Sequence, residues 1–255
     1  MPLLVSTFSG KYRFMSTLTV IRHGQASFFS DDYDKLSDLG MEQSRILGRY
    51  WVEHGVRFDE VYCGSLLRQR ETAECAGEAF KNAGLEWPEH QIIETLNEYP
   101  GDEVMGILLP ELCENFPEIK VMDEAYKNSV DATDKYKTFH RLLEAVMDKW
   151  VHMEYESEEV TTWEEFSGGL RDALQTIMAR NQASGRRVAV FTSGGPVGVS
   201  VQTALDAPQI QAAKLNWRVR NGSVTEFTFS GDRIALDMFN GTPHFVGQPE
   251  MLTYR

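Results

Sequence analysis

Leu18-Thr19-Val20-Ile21-Arg22-His23-Gly24-Gln25 is the stretch on which the reading of this chain turns. Residues 18–21 have the β-branched and aliphatic composition of a buried strand. The run stops at Arg22-His23-Gly24, so a strand near the start of the chain ends on a histidine beside an arginine. In open α/β sheets, ligands bind outside the carboxyl ends of the strands. A histidine there can attack phosphorus as the neutral imidazole, which its ordinary pKa of about 6.5 makes available near neutrality. Arg22 can fork onto phosphate oxygens, and Gly24 lets the backbone approach a ligand closely.

Outward from this stretch, strand-like and helix-like runs alternate. Residues 37–51 carry an apolar side through Leu39, Ile46, Leu47 and Tyr50, with Ser37 or Asp38 as the cap. Residues 58–63 read as a second strand. A helix over 67–82 follows, stopping at Gly84. Ile92 and Ile93 suggest a third strand. Residues 163–181 read as a helix, 188–191 as the most strand-like run of the chain, and the stretch to Leu205 as a helix. Residues 224–229 and 234–239 read as two strands joined at Ser230-Gly231-Asp232. The alternation predicts an α/β fold with a mainly parallel sheet. Residues 103–160 are acidic and helix-prone, with Phe139, Leu142, Leu143, Val146 and Trp150 at helical spacings. They read either as an inserted helical cap over a site or as an ordinary surface helical layer.

The chain has 255 residues, 42% of them hydrophobic, which allows one large domain with a sizeable core. Its net charge of −13 argues against nucleic acid and anionic membranes as partners. An anionic substrate then needs a locally basic pocket, which makes arginines near a site informative. Cys63, Cys75 and Cys113 are odd in number and fit no zinc spacing, so they read as reduced, mostly buried thiols of a cytoplasmic protein. No run approaches the ~18 apolar residues of a membrane span. Residues 1–14 read as an N-terminal extension before Met15, and residues 15–255 as a single domain. His54, His90, His140 and His152 lie in polar or helical segments and are expected at the surface.

The wider pattern resembles the histidine phosphatase superfamily, also called phosphoglycerate-mutase-like. The first block is residues 19–25 followed by Leu36-Ser37-Asp38-Leu39-Gly40-Met41-Glu42-Gln43. The second is Gly64-Ser65-Leu66-Leu67-Arg68-Gln69-Arg70-Glu71-Thr72-Ala73. Here the resemblance implies that Arg68 enters the phosphate pocket; Arg70, two residues on along a helix, would face elsewhere. In Leu96-Asn97-Glu98-Tyr99-Pro100-Gly101 it implies that Glu98 is the general acid. The final block is Val188-Ala189-Val190-Phe191-Thr192-Ser193-Gly194-Gly195. The family normally has a second histidine where Ser193 stands. Ser193 can still donate one neutral hydrogen bond, and the Gly194 N–H can add another. Exchanging a charged donor for a neutral one loses about tenfold in rate; losing the donor altogether costs about 10²–10³-fold. Residues 221–227 and 239–244 resemble the closing strands, with His244 in a closing turn.

The resemblance runs from Leu18 to about Phe245. It implies a three-layer α/β/α sandwich, and no metal or other cofactor. Gln25 and Ser27 would line the pocket in such a fold; they also read as plain loop residues. The activity implied is phosphomonoester hydrolysis through a phosphohistidine at His23, with Arg22, Arg68, Ser193, Gly194 and Gln25 around the phosphate and Glu98 as acid and base. The partner is a small phosphorylated substrate, with homo-oligomerisation left open. A non-catalytic phospho-ligand sensor is the alternative, because of Ser193. A mutase ranks lower, because Gln25-Ala26-Ser27-Phe28-Phe29 does not reproduce the usual mutase segment.

Overall fold

The computed structural model describes residues 15–27, 34–153, 157–180 and 183–254. The N-terminal extension read from residues 1–14 lies outside them. The chain divides into two compact units. The first comprises Met1–Asn97, Asp172–Ser193 and Arg218–Arg255; the second comprises Glu98–Arg171 and Gly194–Trp217.

The first unit is built on a six-stranded sheet. Its strands are β1 (Ser16–Arg22), β2 (Glu60–Cys63), β3 (His90–Ile92), β4 (Arg187–Thr192), β5 (Val224–Ser230) and β6 (Arg233–Gly241), in the order β3-β2-β4-β1-β5-β6. The β3, β2, β4 and β1 neighbours run parallel, while β5 and β6 are antiparallel additions. The expected α/β fold with a mainly parallel sheet is therefore formed, and the 224–239 hairpin closes one edge. The central strands are buried almost throughout, which is why they read as continuous apolar runs.

Helices α1 (Asp38–Glu53) and α2 (Leu67–Asn82) pack on this sheet. Ser37 caps α1, its hydroxyl accepting from the Gly40 N–H at 3.1 Å. Gly84, at φ +66, follows the end of α2. Leu47 and Trp51 of α1 and Ala73, Ala76 and Phe80 of α2 meet Ile21, Val61, Ala189 and Phe191 of the sheet in one apolar cluster. Burial of each large side chain there stabilises the fold by about 1.5–3 kcal/mol. Trp51 packs edge-on against Phe58 at 4.9 Å, and Phe80 lies 4.7 Å from Trp87. At the amino end of β4, the buried Arg186 pairs with Glu60 at 2.7 Å and donates to the carbonyls of Ile177 and Met178.

The second unit is helical: α3 (Gly101–Asn115), α4 (Pro117–Lys127), α5 (Ala132–Val151), α7 (Gly194–Ala204) and α8 (Ile210–Asn216), with α6 (Trp163–Ala179) entering it up to Arg171. Pro117 opens α4, where a missing N–H costs nothing. Asp131 caps α5 by accepting from the Asp134 N–H at 2.9 Å. Leu108, Leu112, Ile119, Leu142, Val146 and Trp150 form the apolar side of these helices. Trp150 meets Tyr99 at 5.5 Å and Trp163 at 5.3 Å. Among the described residues no helix is long and apolar enough to cross a membrane.

The three cysteines are free thiols, two buried and Cys113 half-buried. His54 and His152 are exposed as expected; His90 and His140 are half-buried instead, with His140 lying 6.0 Å from Trp217.

Candidate active site

The parallel register brings three strand ends together. Arg22 of β1 is level with Thr192 of β4, and Cys63 of β2 is level with Phe191. Past those ends, the His23 N–H donates to the Thr192 carbonyl at 2.9 Å and the Gly64 N–H to the Phe191 carbonyl at 3.1 Å. Gly64, Ser193 and His23 thus follow one another along a single carboxyl edge of the sheet.

His23 is held in one tautomer. Its Nδ1 lies 2.6 Å from the Gly24 carbonyl, which can only accept, so Nδ1 carries the hydrogen. Its Nε2 lies 3.3 Å from Nε of Arg68, a donor, so Nε2 bears the lone pair. Burial, then the charges of Arg68 and Arg22, hold the imidazole well below its usual pKa of 6.5, against a small opposing effect of the Gly24 carbonyl. The ring is consequently neutral, with a nucleophilic nitrogen turned to a guanidinium.

Arg68 is on the first turn of α2, immediately after the β2 strand end. Its Nη1 pairs with Asp34 at 2.6 Å, and the other Asp34 oxygen accepts the Leu67 N–H at 2.8 Å. Nothing local in the sequence marks Asp34 for this role. Arg70, the rival, lies near the Cys63 thiol instead, where its charge opposes a pKa pushed up to about 12 by burial. Arg22 is buried beside His23 and donates through Nη1 to the Val219 carbonyl.

The loop carrying His23 is braced from several parts of the chain. Thr72 accepts the Gly24 N–H at 3.1 Å and donates to the Arg68 carbonyl at 2.7 Å, coupling the loop to α2. A Cβ on Gly24 would run into the Gly40 carbonyl, and one on Gly40 into the Gln25 carbonyl. Gln43 accepts the Gln25 N–H at 2.8 Å and donates to Thr253 at 2.9 Å. Thr253 donates to Asn221 at 3.0 Å, and Asn221 donates to the His23 carbonyl at 3.3 Å. Gln43 and Asn221 lie in the blocks that carry the resemblance, but nothing local gives them or Thr253 this bracing role; each is an ordinary polar residue until the fold closes. Gln25 itself accepts from the Ser37 hydroxyl at 2.9 Å, and Ser27 donates to the Leu36 carbonyl at 3.1 Å.

Ser193 is fully buried at the end of β4, and its hydroxyl accepts from Nε2 of Gln69 at 2.9 Å. Within the second unit, both Glu98 oxygens accept from the Gly195 N–H, at 3.0 and 3.2 Å, at the start of α7. A negative group suits a helix N-terminus. A Cβ on Gly195 would collide with that carboxylate, and one on Gly194 with the Asn216 amide oxygen. His244 lies in the turn after β6, buried against Phe245 at 4.0 Å, where burial lowers its pKa to about 4. Among the described residues no group of three or more His, Cys, Asp and Glu is placed to hold a metal ion.

Comparison with known proteins agrees with this architecture. A 2,3-bisphosphoglycerate-dependent phosphoglycerate mutase of Lactobacillus johnsonii is 26% identical over 195 residues, which is 69% of this chain and 84% of that protein. A phosphoserine phosphatase from Entamoeba histolytica superposes with a TM-score of 0.58 at 19% identity, covering 90% of this chain and 99% of its own. A phosphoglycerate mutase from Bacillus anthracis does so with a TM-score of 0.58 at 18% identity, covering 92% and 97%. At such identities the solved structures speak for the fold: a mixed α/β fold with a six-stranded central sheet flanked by helices. The sequence model of the histidine phosphatase superfamily (branch 1) matches residues 18–158 and 133–242, spanning the blocks that hold His23, Arg68 and Ser193, and this chain belongs to that superfamily.

Proposed function

We propose that the chain hydrolyses a phosphomonoester through a phosphohistidine on His23. The observation that carries this is the tautomer of His23: its Nε2 has the lone pair and lies 3.3 Å from a guanidinium nitrogen. Nε2 attacks phosphorus and forms the P–N bond while the P–O bond to the alcohol breaks. Glu98 supplies the proton to the departing oxygen, then takes one from the water that attacks phosphohistidine and releases inorganic phosphate. Arg68 and Arg22 neutralise the phosphoryl charge, with Ser193, Gly194 and Gln25 in supporting roles. A buried neutral imidazole suits this work because it needs no deprotonation.

The test is hydrolysis of p-nitrophenyl phosphate across pH, with His23→Ala and Glu98→Gln beside the wild type. The expected result is activity that vanishes in His23→Ala, together with an alkali-stable, acid-labile phosphoryl label on the wild type that accumulates in Glu98→Gln. Turnover equal in wild type and His23→Ala would overturn the reading. A mutase is the second reading, favoured by the name of the Lactobacillus johnsonii relative. Interconversion of phosphoglycerates without net phosphate release would establish it. Phosphate binding without any turnover would instead indicate a sensor.

A further inference from the structure

Gln69 is a long polar side chain with no exposure to solvent, directly after Arg68 on α2. Buried polar groups are normally fully hydrogen-bonded. Here Nε2 donates to the Ser193 hydroxyl at 2.9 Å and to the Leu96 carbonyl at 3.3 Å, while Oε1 is buried with no partner among the described residues. The Leu96 carbonyl can only accept, which fixes the amide so that nitrogen faces Ser193. An amide left half-satisfied is a poor packing choice compared with leucine. What it achieves is a defined orientation for Ser193. A serine hydroxyl has one hydrogen and two lone pairs. With Gln69 donating to a lone pair, the hydrogen must turn away from Gln69, and no acceptor for it stands among the described residues. Ser193 directly follows Thr192, whose carbonyl holds the His23 N–H at 2.9 Å. The oriented donor thus follows the end of β4, next to the end of β1 that carries His23.

We propose that Gln69 is a positioning residue that aims the Ser193 hydroxyl at the phosphoryl group, the pair together doing the work of a second imidazole. The inference rests on the phosphotransfer reading above and adds a residue to it. It carries a structural corollary. An imidazole introduced at position 193 alone meets the Gln69 amide in a fully buried site, so Ser193→His needs Gln69→Ala beside it.

The experiment is a double-mutant cycle of Gln69→Leu and Ser193→Ala, read on p-nitrophenyl phosphate turnover and on the affinity for orthovanadate, a pentacoordinate mimic of the transfer state. Ser193→Ala is expected to lower kcat about tenfold, the scale of one neutral donor. Gln69→Leu is expected to lower kcat several-fold with KM within about twofold, because the donor is used in the transition state rather than in ground-state binding. The double variant is expected to be no worse than Ser193→Ala alone. Multiplying effects, or an unchanged kcat in Gln69→Leu, would overturn the proposal. A purely structural role would lower thermal stability and leave kcat per folded molecule intact.

If wild type and His23→Ala turn over alike, the hydrolase reading fails separately, and the cycle is read on orthovanadate affinity by the same criterion. Should Gln69→Leu not fold, the second arm decides. Ser193→His alone is expected to lose activity and the Gln69→Ala/Ser193→His pair to regain at least about tenfold; equal activity of the two would overturn the proposal.

Discussion

Nε of Arg68 and Nε2 of His23 face each other across 3.3 Å, and the guanidinium adds to burial in holding the imidazole below its usual pKa. Replacing Arg68 therefore does two things. Arg68→Ala is expected to lower kcat/KM by about 10²–10³-fold, and Arg68→Lys less, since the ammonium keeps charge without the fork. Removing the charge also removes one of the causes that lower the His23 pKa, so that pKa is expected to rise in Arg68→Ala. NMR titration of the His23 ring checks this; an unmoved titration would detach Arg68 from the His23 ring.

Asp34 neutralises Arg68 and caps the start of α2 at once. A phosphate approaching Arg68 meets that carboxylate as a like charge. Asp34→Asn keeps an oxygen for the Leu67 N–H and removes the charge. Affinity for inorganic phosphate is expected to rise about tenfold, on the order of 1–2 kcal/mol for one nearby charge. The gain should shrink as salt is added. Calorimetry at two ionic strengths measures it, and weaker binding would show that Asp34 chiefly orients the guanidinium.

Acid should weaken the fold through buried histidines. In the unfolded chain His244 takes up a proton near its usual 6.5, whereas in the fold burial delays protonation to about 4. The unfolded state thus binds more protons in that window, and stability present above 6.5 is lost as pH falls towards 4. His244 accounts for about 3 kcal/mol of this, and the depressed His23 adds in the same direction. His244→Phe is expected to flatten the acid limb in urea melts between pH 7 and 4; an unchanged limb would mean that His244 does not titrate there.

Gly40 allows the start of α1 to pass against the Gln25 carbonyl, and Gly24 makes the reciprocal approach. Gly40→Ala forces these backbones apart. A loss of about 1–3 kcal/mol is expected, the range for an overpacked site. Because the same loop carries His23, kcat should fall along with the melting temperature. A variant that melts lower with unchanged kcat would separate the brace from the site.

The local signals in the chain were strong where the physics is local. The buried strands read as apolar runs, Ser37 or Asp38 marked the start of α1, and α2 occupies the residues read as a helix stopping at Gly84. His23 was legible because it ends an obvious strand, and Arg68 because it opens the helix after the next one. The short α8 was not legible, since seven residues after Pro208 carry little periodicity of their own.

By itself the sequence determined the alternation of strands and helices, the fold class and the order of the blocks, because period and turn chemistry act over a few residues. Only the tertiary structure decided how β1, β2 and β4 align, which nitrogen of His23 carries the lone pair, that Asp34 holds Arg68, and that Gln69 holds Ser193. Those depend on hydrogen bonds between residues as far apart as Gln43 and Thr253, or Gln69 and Ser193. A donor and an acceptor distant in the chain have no preference for one another until the packed core brings them within reach and removes the water that would otherwise satisfy both.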